Sequence, residues 1–451
     1  MSRLASHPFD FDHLVEDRPG DGVFQVHRDA YLDPQLFELE MARIFESTWL
    51  FVGLDSEVEN PHDYITRNVG RQPVIIMRDK DGKLGAFLNS CRHKGLKLCP
   101  RGSGNEKLHA CPYHGWVYDS AGNNVAITAE QSGHYPDAFA QADHGLVPVA
   151  RFDSYRGFLF VSLSDQVPTL PEHLGEARVL LDLIADQAPQ GLEYVPGGSA
   201  YTFDGNWKLQ FENGLDAYHF AATHAAFVDI VMQRDPRDVP DPIREFTAPA
   251  DQIVAGTVGI DRGHAMSWSL GAPGQEPAAR PLPYDRENFE AVRENVGQDR
   301  LSWMLRQRNL TIFPNLQIID IQSLQVRTWE PLAAGKTRML SHCLAPKGES
   351  AEARRFRIRQ YEEFFNTGGL ASSDDNIMYE LCQAGLSATS AGNPQGFSRG
   401  MTAPPAQPDY YAGLDFQQAR LTASPAGLGF GDETGIHPGY REWLRLMKAG
   451  E

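Results

Sequence analysis

CRHKGLKLCPRGSGNEKLHACPYHGW, residues 91–116, is the stretch on which the fold turns. It holds two short mixed pairs, Cys91 with His93 and Cys111 with His114, separated by residues 94–110. Each pair follows a strand-like run, which puts it on a loop at the tip of a sheet. Two thiolates and two imidazoles can hold zinc, but Cys₂His₂ zinc sites group the two Cys in one pair and the two His in the other. A mixed arrangement suits a [2Fe–2S] cluster with two ligands to each iron. Two imidazoles in place of thiolates on one iron raise its reduction potential. Gly95 and Gly115 come after the pairs and permit positive φ and a close approach of backbone amides.

A centre of this kind is a Rieske-type cluster. Rieske proteins of respiratory complexes carry an extra disulfide between the ligand loops. One of its Cys lies five residues after the first ligand Cys, the other within the second motif. Leu96 and Tyr113 stand at those positions here. The chain therefore resembles the oxygenase or ferredoxin kind, and Cys99 is expected to be a buried thiol. A ferredoxin needs only about a hundred residues, whereas this chain has 451, enough for two or three units. Its five cysteines are odd in number and sparse, which argues against a disulfide framework and for a reducing cytosol. A net charge of −18 disfavours nucleic acid and anionic membranes as partners. No signal-peptide-like run opens the sequence and no apolar run approaches about 18 residues, so a cytoplasmic protein without a membrane span is expected.

Three segments are expected: 1–50 as an N-terminal helical segment packing on the catalytic domain, 51–165 as the cluster domain and 166–451 as the catalytic domain. Residues 31–49 read as one amphipathic helix, with Leu36, Leu39, Ile44 and Phe45 on a stripe and acids opposite. Residues 74–78 and 84–89 flank Asp79-Lys80-Asp81-Gly82, a hairpin turn, and 158–163 read as a buried strand. Pro168 to Pro171 mark a boundary. Beyond it, 243–249, 310–331 and 337–345 look like members of an antiparallel sheet. Residues 351–366 read as a charged helix that stops at Gly368-Gly369.

A second constellation lies in GNWKLQFENGLDAYHFAATH, residues 205–224. On a helix, Glu212, Asp216 and His219 would share a face, at i,i+4 and i,i+3 spacing. His219 and His224 are five apart, which an ideal helix would splay, so the helix must loosen or end there if both meet one ion. Two His and one carboxylate bind Fe(II) on one face and leave positions open for O₂. The distant carboxylate is sought in Ser372-Ser373-Asp374-Asp375-Asn376. The same residues also match a capping box in which Asp375 merely neutralises a helix N-terminus. The two His could equally be ordinary polar residues near a helix end.

With both motifs in view, the sequence resembles the large (alpha) subunits of Rieske non-haem iron aromatic-ring-hydroxylating oxygenases over essentially its whole length. CRHKG and CPYHGW match the family's cluster motif, and NWKLQFENGLDAYHFAATH matches its iron motif. The tail from SSDDN to WLRLM and the stretch DGVFQVHRDAYLDPQLFELEMARIFESTWLFVG resemble the benzoate, toluate and anthranilate dioxygenase branch. The resemblance implies an α+β fold, an all-β Rieske domain plus a helix-on-antiparallel-sheet catalytic domain of helix-grip type. It implies that Cys91 and Cys111 hold one cluster iron and His93 and His114 the other. It further implies that His219, His224 and Asp375 hold a mononuclear Fe(II), Asp375 being the second of the paired acids. Asp216 matches a carboxylate that bridges an iron-ligand His to a cluster-ligand His of a neighbouring subunit. Asn213 matches a polar residue near the iron, and Glu212 and Tyr218 match other motif residues.

The reaction so implied takes O₂ and NADH-derived electrons, delivered by a flavin/iron–sulfur reductase, and cis-dihydroxylates an aromatic ring, in this branch that of an aromatic carboxylate such as benzoate or anthranilate. The implied assembly is an α₃β₃ hexamer with a small beta subunit, otherwise an α₃ trimer. An aromatic acid calls for a cation, for which Arg234, Arg237, Arg308 and Arg327 are candidates. Phe211, Phe220, Phe227 and Met232 are candidates for an apolar pocket; all eight fit plain structural roles as well. Monohydroxylation, as in salicylate 5-hydroxylase-like relatives, and attack on an aromatic amine would use the same metals. An electron carrier without oxygenase chemistry would leave the 205–224 motif and the C-terminal half without a role.

Overall fold

Asp33-Pro34 interrupts the helix expected over residues 31–49. The computed structural model describes residues 10–233, 254–270, 281–321, 323–392, 395–406, 408–423 and 431–449. In it the segment forms α1 (Asp29–Leu32), α2 (Pro34–Glu40) and a π-turn over Met41–Phe45. Pro34 lacks the N–H that would continue α1, so a new helix starts there. Asp33, extended at ψ 118°, caps it by accepting from the N–H groups of Gln35 (2.7 Å) and Leu36 (3.4 Å).

Leu36, Ile44 and Phe45 are buried, and so is Glu40, one of the acids expected on the wet face. The Glu40 carboxylate accepts from Lys208 Nζ, from Trp207 Nε1 (3.0 Å) and from Trp443 Nε1 (2.6 Å). A charge this deep is stable only when paired. Glu40→Ala, which strands the Lys208 ammonium, is expected to destabilise the chain by about 3–5 kcal/mol. Denaturant unfolding measures it, and a loss under about 1 kcal/mol would show that the pair is dispensable.

Contacts divide the chain into Met1–Ile44, Leu174–Gln190 and Val195–Glu451 on one side, and Phe45–His173 with Gly191–Tyr194 on the other. The smaller unit is built mainly of antiparallel strands: β1 (Leu50–Leu54), β2 (Asp63–Val69), β3 (Gln72–Arg78), β4 (Leu84–Leu88), β5 (Ser103–Asn105), β6 (Leu108–Ala110), β7 (Val117–Asp119), β8 (Asn124–Ala126), β9 (Arg151–Tyr155) and β10 (Phe158–Ser162). They form three sheets, β4-β3-β2-β5, β8-β7-β6 and β9-β10-β1. The hairpin turn at Asp79–Gly82 is present, with Gly82 at φ +87°, and every residue of β10 is buried.

The main antiparallel sheet of the larger unit includes β11 (Ser199–Phe203), β12 (Val254–Gly259), β13 (Ala265–Leu270), β14 (Gln307–Ile312), β15 (Leu316–Asp320), β16 (Leu324–Ala333), β17 (Lys336–Pro346) and β18 (Arg420–Leu421), in the order β11-β17-β16-β15-β14-β13-β12-β18. Residues 310–331 thus supply most of three strands; the strand expected at 243–249 lies outside the described residues. Cross-strand register aligns Gln317, Ile319, Gln325, Arg327, Ser341 and Cys343 on one face. Over that face lie α3 (Trp207–Asn213), α4 (Phe220–Thr223), α5 (Ala225–Met232), α6 (Ala351–Gln360) with a π-turn to Phe365, and α7 (Leu370–Leu386). Gln317 donates to the Gln210 and Phe211 carbonyls at 3.3 and 3.1 Å, so α3 is bonded to the sheet. A Cβ on Gly214 would fall 1.9 Å from Gln317 Nε2, so any larger residue there would displace the Gln317 amide from its bonds to α3. The opposite face holds Arg308, which binds Asp320. This is a helix-on-sheet arrangement, with the candidate site between the two layers.

Candidate metal centres

Cys91 and Cys111 open two loops with the same hydrogen-bond pattern. Cys91 N–H donates to Leu96 O (2.9 Å) and Gly95 N–H to Cys91 O (2.9 Å). Cys111 N–H donates to Trp116 O (2.8 Å) and Gly115 N–H to Cys111 O (2.9 Å). Gly95 and Gly115 both adopt left-handed backbone, φ +73° and +72°. The loops face each other, with His93 Nδ1 3.1 Å from His114 Nδ1 and both cysteines buried. Trp116 stacks on His93 at 5.0 Å. Tyr118 OH lies 3.3 Å from Cys91 Sγ and accepts from the Arg92 N–H at 3.0 Å. The sequence reading missed Tyr118; its one signal is an aromatic on the strand that leaves the second loop. Cys99 is buried, with Sγ 3.1 Å from His109 Nδ1, and burial pushes its thiol up to about 11.

A single tetrahedral zinc would gather its donors within roughly 4 Å of one another. Among the described residues, the sets of at least three donors within 4.8 Å are His219–His224–Asp375 and the surface group His13–His27–Asp29. The Cys91, His93, Cys111 and His114 set is not drawn together in that way. Two facing imidazoles and two buried sulfurs fit the larger two-iron cluster.

The second motif does not run on as one helix. α3 ends at Asn213, turns follow, and α4 is a single turn with His219 as its N-cap and His224 as its C-cap. At His224 the chain leaves helical geometry (φ −103°, ψ 25°), which brings the two rings to 5.4 Å. Asp375 Oδ1 lies 3.5 Å from His219 Nε2 and 3.2 Å from His224 Nε2. Asn213 Nδ2 is 3.2 Å from both Asp375 Oδ1 and His219 Nε2. Two imidazole nitrogens and a carboxylate oxygen on one side of a point are a donor set that fits iron(II).

The capping reading of Asp375 is overturned. α7 begins at Leu370 with Gly369 as N-cap, so Asp375 sits within the helix on its buried stripe with Ser372 and Tyr379. Ser372 Oγ donates instead to Phe365 O at 2.7 Å. Asp374, its neighbour, reaches the other nitrogen of the same ring, with Oδ2 3.4 Å from His224 Nδ1.

Asp216 also stands outside any helix. Its Oδ1 accepts from Tyr218 N–H at 2.6 Å, and its Oδ2 lies 3.5 Å from His219 Nδ1. Burial pushes the His219 imidazole down, and the Asp216 and Asp375 carboxylates more than offset it, leaving it above its ordinary value. Burial likewise pushes Asp375 up, but His224, His219 and Arg327 bring it below the usual carboxylate range.

Residues 192–423 match the ring hydroxylating alpha subunit (catalytic domain) family, about half of the chain, and residues 48–149 match the Rieske [2Fe-2S] domain. The chain belongs to the ring-hydroxylating alpha-subunit family. It is 40% identical to a toluate 1,2-dioxygenase subunit alpha of Pseudomonas putida, covering 86% of this chain and 84% of that one. It is 37% identical to a 2-halobenzoate 1,2-dioxygenase large subunit of Burkholderia cepacia, covering 97% and 92%. A crystal structure of naphthalene 1,2-dioxygenase from Rhodococcus sp. superposes with a TM-score of 0.81 at 25% identity, covering 95% of each chain. This ring-hydroxylating alpha subunit therefore carries a Rieske cluster domain and the catalytic domain of a family that binds mononuclear iron. No helix among its described residues is long and apolar enough to cross a membrane.

Other expected site residues of the alpha subunit fall in different places. Phe220 and Phe227 are buried beside Phe364, and Phe220 and Phe364 flank His224 at 5.3 and 5.5 Å. Phe211 instead packs against Phe313 and Tyr440 in the core, and Met232 is half exposed. Arg308 is taken up by Asp320, and Arg234 and Arg237 lie outside the described residues. Tyr218 is exposed, beneath the Arg399 guanidinium at 4.2 Å.

Glu212 turns away from Asp216 and accepts from Tyr31 OH (2.6 Å) and Tyr440 OH. Burial pushes its carboxyl up to about 7, against the pull of those hydroxyls and of Lys208. A folded pKa above the unfolded value means that stabilisation is full below about 4.5 and lost as pH rises through about 7, at roughly 1.4 kcal/mol per pH unit. Glu212→Gln cannot ionise. Its melting temperature should gain on the wild type as pH rises from about 4.5 to about 7 and then hold a constant lead. A difference that ignores pH across that window would refute the assignment.

Proposed function

We propose that this alpha subunit uses O₂ to cis-dihydroxylate the ring of an aromatic carboxylate of the benzoate or anthranilate kind. The relatives named for toluate, 2-halobenzoate and anthranilate 1,2-dioxygenases support the substrate class. The convergence of His219 Nε2, His224 Nε2 and Asp375 Oδ1 is the observation that carries the reading. We assign Cys91, Cys111, His93 and His114 to the cluster, and His219, His224 and Asp375 to the mononuclear iron. When bound, the cluster supplies single electrons and the iron supplies O₂ activation.

The protein's own part is orientation and exclusion of water. Asp216 Oδ2 beside Nδ1 favours the His219 tautomer that leaves Nε2 free for metal. Asp374 does the same for His224. Asn213 steadies Asp375 Oδ1. Phe220, Phe227, Phe364 and Ile319 form an apolar wall on which a ring can lie. We further assign Asp216 as the bridge to a cluster-ligand histidine of a neighbouring subunit, in an α₃β₃ hexamer with a small subunit or an α₃ trimer. An NADH-linked flavin reductase is the electron source of this proposal.

Product analysis with the reductase, NADH and a panel of benzoate, anthranilate, salicylate and aniline tests it. The expected result is a cis-diol, or the catechol derived from it, from an aromatic acid. Phenolic monohydroxylation, or turnover of aniline alone, would overturn the assignment.

A further inference from the structure

Arg327 stands on the face of β16 that the site helices cover. It is 2% exposed, as deep as Lys208, Arg308 and Arg357, which bind the carboxylates of Glu40, Asp320 and Glu349. Arg327 is held differently. Its Nη2 donates to Ser372 Oγ at 2.8 Å, and its Nε has no hydrogen-bond partner among the described residues. The Phe365 ring lies 5.9 Å away. Among the described residues Arg327 binds no carboxylate, and an unpaired guanidinium in a dry setting is costly. Asp375 is the acid one helical turn beyond Ser372, on the same buried stripe of α7. Both groups are buried, and charges in a low-dielectric interior interact strongly over such a distance.

We propose that Arg327 is a positioning residue that poises the iron held by Asp375: a fixed positive charge behind that carboxylate favours ferrous over ferric ion. The inference rests on the reading of His219, His224 and Asp375 as an iron site. Its action is that of an outer-shell group tuning a metal through a ligand.

The test is a redox titration of the holoenzyme followed by electron paramagnetic resonance, in which the ferric mononuclear signal and the reduced-cluster signal are read from one sample. Arg327→Gln should lower the midpoint potential of the mononuclear iron, Arg327→Lys should leave it near wild type, and the cluster potential should stay put in both. An unmoved potential in Arg327→Gln, an equal shift in the Lys variant, or a parallel shift of the cluster would each overturn the proposal. If Arg327→Gln does not retain iron, the cluster-loaded protein freed of mononuclear iron is titrated with Mn(II) and Ga(III). The ratio of trivalent to divalent affinity should rise at least tenfold over wild type, and an unchanged ratio overturns the proposal. A wild-type enzyme with no mononuclear ferric signal would instead defeat the iron-site reading itself.

Discussion

Asp375→Ala should purify with about two irons per chain in place of about three, keep the visible spectrum of the cluster, and lose turnover to background. The carboxylate is the donor that lies within reach of both His219 Nε2 and His224 Nε2. Without it two imidazoles remain, too few to hold Fe(II) against dilution. The cluster loops are closed by their own hydrogen bonds and stand in the other unit, so their spectrum is the internal control. Asp374→Ala is the necessary comparison. Asp374 meets His224 at Nδ1, so its loss frees the ring without removing a donor, and iron should largely stay. If Asp374→Ala loses the iron and Asp375→Ala retains it, the two acids have been assigned the wrong way round.

Asp216→Ala should have the opposite signature: normal iron content, a normal cluster spectrum, and turnover reduced by at least roughly 100-fold. Its carboxylate lies 3.5 Å from His219 Nδ1, on the side of the ring away from Asp375, and its other oxygen is tied to the Tyr218 N–H. It therefore orients a ligand without being one. If it also spans to a neighbouring subunit, Asp216→Asn should fail nearly as badly, because the amide keeps the shape and loses the charge. Activity in Asp216→Ala within a few fold of wild type, at full iron content, would sink the bridging role. Lost iron would make Asp216 a support for His219 instead.

Some elements of this chain were legible because their physics is local. The hairpin at Asp79–Gly82 needs only a turn that tolerates φ +87° between two apolar runs. The π-turn, the break at Asp33-Pro34 and the unwinding at Asp216 were harder. An apolar stripe has the same period whether or not a proline or a tight turn interrupts it. Pro34 is such an interruption, and it leaves the stripe's period intact while removing a helix N–H. The turns at 214–219 have no such marker, since Gly214 is fitted to the sheet beneath it rather than to the helix before it.

The sequence by itself determined the chemistry of the two metal motifs. Ligand type, spacing and the glycines that let a loop close are all properties of a few consecutive residues. Tertiary structure decided which distant groups those motifs meet. It put Asp375 rather than Asp374 on the shared side of the two imidazoles, took Glu40 and Arg308 into buried ion pairs, and left Arg327 one helical turn from Asp375 with no carboxylate partner among the described residues. Burial and charge are set by what surrounds a group in space. For Glu40 and His224 those surroundings come from residues more than a hundred positions away, brought together by a sheet and the helices laid across it.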